Sequence, residues 1–161
     1  MVDGPIVTDN RLDFGDALAD GGALLGLDVG TKTVGVATCD AGWRYATAGK
    51  TLQRGKFTQD SGKLRELVRE RSIKGVVIGL PRNMDGSEGP RAQASRAYAR
   101  NIAAALDLPV LLWDERWSTA SAEAAMIGQD MSRSKRAERI DAHAAAVILQ
   151  GAIDALAGGG F

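Results

Sequence analysis

An α/β fold, a mixed β-sheet flanked by helices, is what this chain of 161 residues predicts, and three observations carry the prediction. Two short apolar runs flank Gly30-Thr31-Lys32 and read as a β-hairpin. Two more, Gly75–Leu80 and Pro109–Trp113, have the length and composition of buried strands. Segments with helical spacing lie between and after them, and strands followed by alternating strand and helix make a sheet covered by helices.

Each element has its own signal. Residues 1–22 mix Asp and Gly with few large apolar groups and are expected to form a loose, flexible acidic leader, leaving 23–161 as one domain. The hairpin pairs 24–29 with 33–38, and a third strand is expected over 45–52. Leu64, Leu67 and Val68 stand at helical spacing within 58–71. Pro81 stops the buried strand that begins at Gly75. Arg82–Gly89 is rich in turn formers, and Pro90 is placed to open a helix running to about Leu106. The strand from Pro109 ends in Asp114-Glu115-Arg116. Ser118 or Thr119 can cap a helix reaching about Ile127; a basic loop (Arg133, Lys135, Arg136) and a last helix from about Glu138 to Leu156 complete the chain.

Composition excludes several classes. With 45% hydrophobic and 25% charged residues the chain is neither collagen-like nor globally disordered. No apolar stretch approaches the roughly 18 residues of a transmembrane helix. Five aspartates and one arginine in the first twenty residues do not make a signal peptide. A single cysteine, Cys39, forms no intrachain disulfide, which fits a reducing cytoplasm. Twenty basic and twenty acidic groups cancel, yet residues 1–40 carry two basic groups against seven aspartates. The remainder is therefore mildly basic, compatible with a polyanionic partner without demanding one.

Three carboxylates occupy places that packing alone would not choose. Asp28 interrupts an apolar strand, on the same face as Leu24 and Gly26. Glu115 ends the strand from Pro109. If the strands from Leu24, Gly75 and Pro109 run parallel, their carboxyl ends share the edge where open α/β sheets hold ligands. Asp141 stands on the shoulder of an apolar helical stripe formed by Ile140, Ala144, Val147, Ile148, Gly151 and Ala155. Three such groups repel at neutral pH, and a hard divalent cation resolves the conflict. Two cations would suit phosphodiester cleavage, and the absence of Cys/His clusters argues against zinc or iron.

Each carboxylate also has a plainer explanation: a turn residue at Asp28, a solvated ion pair at Glu115, a helix-dipole charge at Asp141. Their coincidence with basic and Gly-rich loops on one edge outweighs these. Arg82, Asn83 and the amides before Pro90 suit a phosphate. Lys32, Arg91, Arg116, Lys135, Arg136 and Arg139 suit nucleic-acid backbone charge. His143 is expected to be a partly buried structural residue, Trp113 and Trp117 to pack, and Cys39 to lie in the core.

The segments Gly26-Leu-Asp-Val-Gly-Thr-Lys32, Val77-Ile-Gly-Leu-Pro-Arg-Asn-Met-Asp-Gly-Ser-Glu-Gly-Pro90, Asp114-Glu-Arg-Trp-Ser-Thr119 and Arg139-Ile-Asp-Ala-His-Ala-Ala145 resemble, in order, the signature blocks of the YqgF (RuvX) family. The resemblance covers roughly residues 24–157 and implies an RNase H-like fold, a five-stranded mixed sheet whose first three strands are antiparallel. It implies a metal-dependent nuclease using one or two Mg²⁺ or Mn²⁺ ions. Asp28, Glu115 and Asp141 match the family's acidic triad, and Lys32, Arg82 and Arg116 match nearby basic positions. The implied role is 5′-end maturation of pre-16S rRNA in the cytoplasm by a monomer or weak homodimer, with structured RNA as the preferred partner and branched DNA as the rival. The acidic leader and His143 depart from the family pattern. Three other functions compete. A Holliday-junction DNA resolvase would need two sites related by two-fold symmetry. A nucleic-acid-binding module would lack catalysis. An ATP-binding phosphotransferase with an Asp-x-Gly-Thr hairpin would need a second domain.

Overall fold

The computed structural model describes residues 5–18, 20–117 and 133–158, and the side chains of all of these except 117, 133–141 and 158. In chain order the elements are β1 (Val7–Thr8), α1 (Arg11–Ala17), β2 (Ala23–Val29), β3 (Thr33–Cys39), β4 (Ala46–Gln53), α2 (Phe57–Arg71), β5 (Ile73–Leu80), α3 (Pro90–Leu106), β6 (Val110–Asp114), a 3₁₀ turn (Glu115–Trp117) and α4 (Arg133–Gly158). The expected helix from Ser118 or Thr119 to Ile127 lies outside the described residues.

The strands form one sheet in the order β1-β6-β5-β2-β3-β4. β2, β3 and β4 are an antiparallel meander, opened by a hairpin that Gly30 closes with its N–H donating to the Thr33 carbonyl at 2.8 Å. β5 and β6 add in parallel on the other side of β2. The mixed sheet therefore follows expectation, with six strands where five were expected.

The sixth strand corrects the reading of the leader. Val7 and Thr8 pair in parallel with Val110 and Leu111. Asn10 then caps α1, its side-chain oxygen accepting from the N–H groups of Leu12 and Asp13. Phe14 is fully buried and Leu18 nearly so. They fit because Gly75 has no side chain: a Cβ there would stand 2.8 Å from Leu18 Cδ1 and 3.0 Å from Phe14 Cζ. Two apolar residues four apart anchor a two-turn helix, although so few of them leave the segment looking polar in composition.

Alternation along each strand divides the core between the two faces. Leu25, Leu27, Val76, Ile78 and Leu112 pack against α2 and α3. Leu24, Val77 and Leu111 pack against α1 and α4. α4 begins at Arg133, so the expected basic loop is helix; its Lys, Arg, Ala and Glu are good helix formers with no Gly or Pro among them. The buried stripe runs through Ala142, Ala145, Ala146, Ile148, Leu149, Ala152, Ile153 and Ala155, while Ala144, Val147 and Gly151 are only half-buried. Of the expected stripe Ile148 and Ala155 are buried, and the buried face is otherwise turned by about one residue. α4 comes close to β2 over Gly26, where a Cβ would lie 2.8 Å from Leu149 Cβ and 3.1 Å from the Ala145 carbonyl oxygen.

Candidate active site

The register of the parallel strands brings the acidic residues to one edge. Leu27 lies opposite Ile78, and Gly79 opposite Trp113, so Asp28 falls level with Gly79 at the carboxyl ends of β2, β5 and β6. By alternation Asp28, Gly79 and Glu115 belong to the face covered by α4. Glu115 follows β6, and its side chain reaches over β5. A Cβ on Gly79 would overlap Glu115 Oε1 and stand 2.9 Å from Glu115 Cδ. There the Glu115 carboxyl shares a hydrogen bond with Asp28. Burial, then the charge of Asp28 and that hydrogen bond, push the Glu115 pKa up to about 7, against the opposing charge of Arg91.

The neighbouring Asp114 points to the other face and has a different fate. It is 6% exposed, and Arg116 binds it through Nε and Nη2 at 3.0 and 2.6 Å. Arg82 Nη1 stands 3.6 Å from the same oxygen. Burial alone would raise the Asp114 carboxyl, but the hydrogen bonds and charge of Arg116 and the charge of Arg82 outweigh it and hold it below the usual range. Arg82 also meets Asp9 at 3.2 Å and Glu88 at 3.5 Å. Glu88 in turn grips Arg96 at 2.6 and 2.7 Å. Two cations expected to meet a nucleic-acid backbone are thus engaged by carboxylates that tie the leader, the loop after β5 and the end of β6 together.

The remaining sequence candidates are spread around this edge. Arg91 is exposed in the first turn of α3 and acts on Glu115 through its charge. Lys32 is exposed in the β2–β3 turn. Asn83 closes its own loop, accepting from Gly86 N–H through its carbonyl and donating from Nδ2 to Ser87 Oγ at 3.0 Å. Lys135, Arg136, Arg139 and Asp141 lie on the first turns of α4, and their side chains are outside the described residues. Among the described residues no three acidic, His or Cys side chains come together as a metal cluster.

His143 is half-buried on α4, and Trp113 packs its indole on Gly151. Cys39 is buried in the core, which raises its thiol pKa. Sequence reasoning did not find Gly79, Asp114, Arg96 or Asp9. For Gly79 a signal was present: a glycine inside a buried strand marks a close approach. A separate cavity of about 920 Å³ lies along β6, lined by Asp9, Arg82, Leu112, Trp113, Asp114 and Gly151 among others, and Asp28 and Glu115 are not in its wall. No helix among the described residues is long and apolar enough to cross a membrane.

Known proteins resemble this chain in sequence and in fold. Residues 22–155 match the RuvX family, described as Holliday junction resolvase. A protein of Novosphingobium aromaticivorans named "Putative pre-16S rRNA nuclease" is 64% identical over 156 residues, 97% of this chain and 100% of that protein. One of the same name from Sphingopyxis alaskensis is 60% identical over 151 residues, 94% and 99% of the two chains. In structure, Thermus thermophilus RuvC in complex with a Holliday junction substrate aligns with a TM-score of 0.53 and 14% identity, over 85% of this chain and 96% of that one, a likeness of fold.

Proposed function

The chain belongs to the RuvX family, and from that membership and the acidic pair at the sheet edge we propose that it is a metal-dependent nuclease that hydrolyses phosphodiester bonds in the 5′-end maturation of pre-16S rRNA. The observation that carries the reading is the meeting of Asp28 and Glu115 over the bare backbone of Gly79. Two half-buried carboxylates held together favour positive charge between them, in keeping with the raised Glu115 pKa. Oxygen donors alone suit Mg²⁺ or Mn²⁺. Asp28 and Glu115 would hold one or two such ions with Asp141, which stands one helical turn before Ala145 over β2.

When bound, the cation would supply a water activated at neutral pH and charge for the scissile phosphate oxygens. The chain's own residues do the rest. Arg91, exposed and near enough for its charge to act on Glu115, would serve as a phosphate contact. Lys32, Lys135, Arg136 and Arg139 would neutralise backbone charge, and the Asn83 loop would offer neutral hydrogen-bond donors to a phosphate. Arg82 and Arg116 hold Asp114 and thereby the strand end that carries Glu115. A single buried cysteine and an RNA substrate suit the cytoplasm.

The family's description favours a second reading, a four-way DNA junction as substrate. Purified protein incubated in Mn²⁺ or Mg²⁺ with labelled pre-16S leader RNA and, separately, with a labelled four-way DNA junction, beside Asp28→Asn, decides between them. Cleavage of the RNA that the variant abolishes is expected. Intact RNA with cleaved junction DNA would transfer the assignment to the resolvase. Neither product, with RNA still bound, would leave a binding module.

A further inference from the structure

We propose that Gly79 is a positioning residue of this site: its missing side chain is the passage through which Glu115 reaches Asp28. The inference rests on the proposed metal-binding role of that pair for its consequence, though not for its geometry. Asp28 is on β2 and Glu115 follows β6, with β5 between them. Adjacent strands lie about 4.8 Å apart, so the two carboxylates start about 10 Å apart across the sheet. To close that gap the Glu115 side chain must lie flat over β5 at the level of Asp28, and residue 79 is what it crosses. Any Cβ there would overlap Glu115 Oε1 and stand 2.9 Å from Cδ.

A glycine weakens a buried strand, since it contributes no packing and loses more backbone freedom on folding. Its presence calls for a reason, and the close approach supplies one. A competing reason is helix packing, because the same Cβ would stand 2.7 Å from Ile148 Cδ1. Ile148→Val removes that atom and isolates the contact with Glu115.

The experiment compares the wild type, Ile148→Val, Gly79→Ala/Ile148→Val and Asp28→Asn by crystal structure and by calorimetric titration with Mn²⁺. In the double variant the Glu115 carboxyl should be displaced from β5. Mn²⁺ affinity should fall roughly tenfold or more, the scale seen when a ligand loses its support, while Ile148→Val binds as the wild type does. A Glu115 carboxyl still beside Asp28 in the double variant would overturn the inference. If the wild type binds no Mn²⁺, or Asp28→Asn binds it equally well, the metal reading fails, and the carboxyl position still decides the role of Gly79. Should the double variant not fold, Glu115→Ala is added to it: recovery of folding supports the passage, and no recovery refutes it.

Discussion

Replacing Glu115 by glutamine should stabilise the metal-free protein, and only above mildly acidic pH. In the folded chain the Glu115 pKa is raised from 4.5 to about 7, first by burial and then by Asp28. Between those values the native state holds a proton that the unfolded chain has released. The stability contributed by the protonated group is therefore complete below pH 4.5 and is lost as pH rises through 7. At about 1.4 kcal/mol per pH unit, the shift amounts to roughly 3 kcal/mol of destabilisation once Glu115 is ionised. Glutamine is neutral at every pH and can still donate to Asp28, as the protonated acid does. Urea denaturation in a chelating buffer should find the two proteins equal near pH 4.5 and Glu115→Gln more stable by about 3 kcal/mol near pH 8.5. That is roughly 6–12 °C in Tm for a chain of this size. Asp28→Asn should recover a smaller part, because burial remains. A stability difference that does not change with pH, or a less stable glutamine variant at high pH, would refute the placement of Glu115 beside Asp28.

Other consequences are simpler to state. Phe14→Ala empties a fully buried site under α4 and should cost about 3–5 kcal/mol by chemical denaturation, whereas a flexible leader would tolerate it. Gly26→Ala forces a methyl against Leu149 and the Ala145 carbonyl and should cost about 1–3 kcal/mol, read as a lowered Tm. Arg116→Ala removes the main partner of buried Asp114 and should lower stability at neutral pH. The loss should shrink as pH falls below 3.8, because the Asp114 pKa is lowered in the fold and its ion pairs stabilise only the ionised group. Saturating Mn²⁺ should raise the Tm of the wild type and leave that of Asp28→Asn nearly unchanged, by differential scanning fluorimetry.

What the sequence makes legible follows from which signals are local. The β2–β3 hairpin, the buried runs of β5 and β6 and the Pro90 helix start announce themselves within a few residues, and the structure has them within one or two positions. The approach of Asp28 to Glu115 is also legible, since both end strands and parallel pairing puts strand ends on one edge. The leader is not. Its anchor is Phe14 and Leu18 fitting over Gly75, a contact some sixty residues away in sequence that composition averages out of sight.

The partition of Asp114 and Glu115 lies between these cases. Adjacent carboxylates on one strand end must face opposite sides of the sheet, so only one of them can turn toward Asp28. The sequence alone leaves Arg116 free to neutralise either. Two neighbours settle its choice. Arg82, anchored by Asp9 and Glu88, adds its charge on the Asp114 side. Gly79 leaves space on the other side for Glu115 to turn away from both arginines. With Asp114 compensated by two guanidinium groups and Glu115 met by the more distant charge of Arg91, Glu115 is the carboxyl that turns toward Asp28. The same sorting of arginines thus stabilises the end of β6 and sends the two adjacent carboxylates to opposite faces of the sheet.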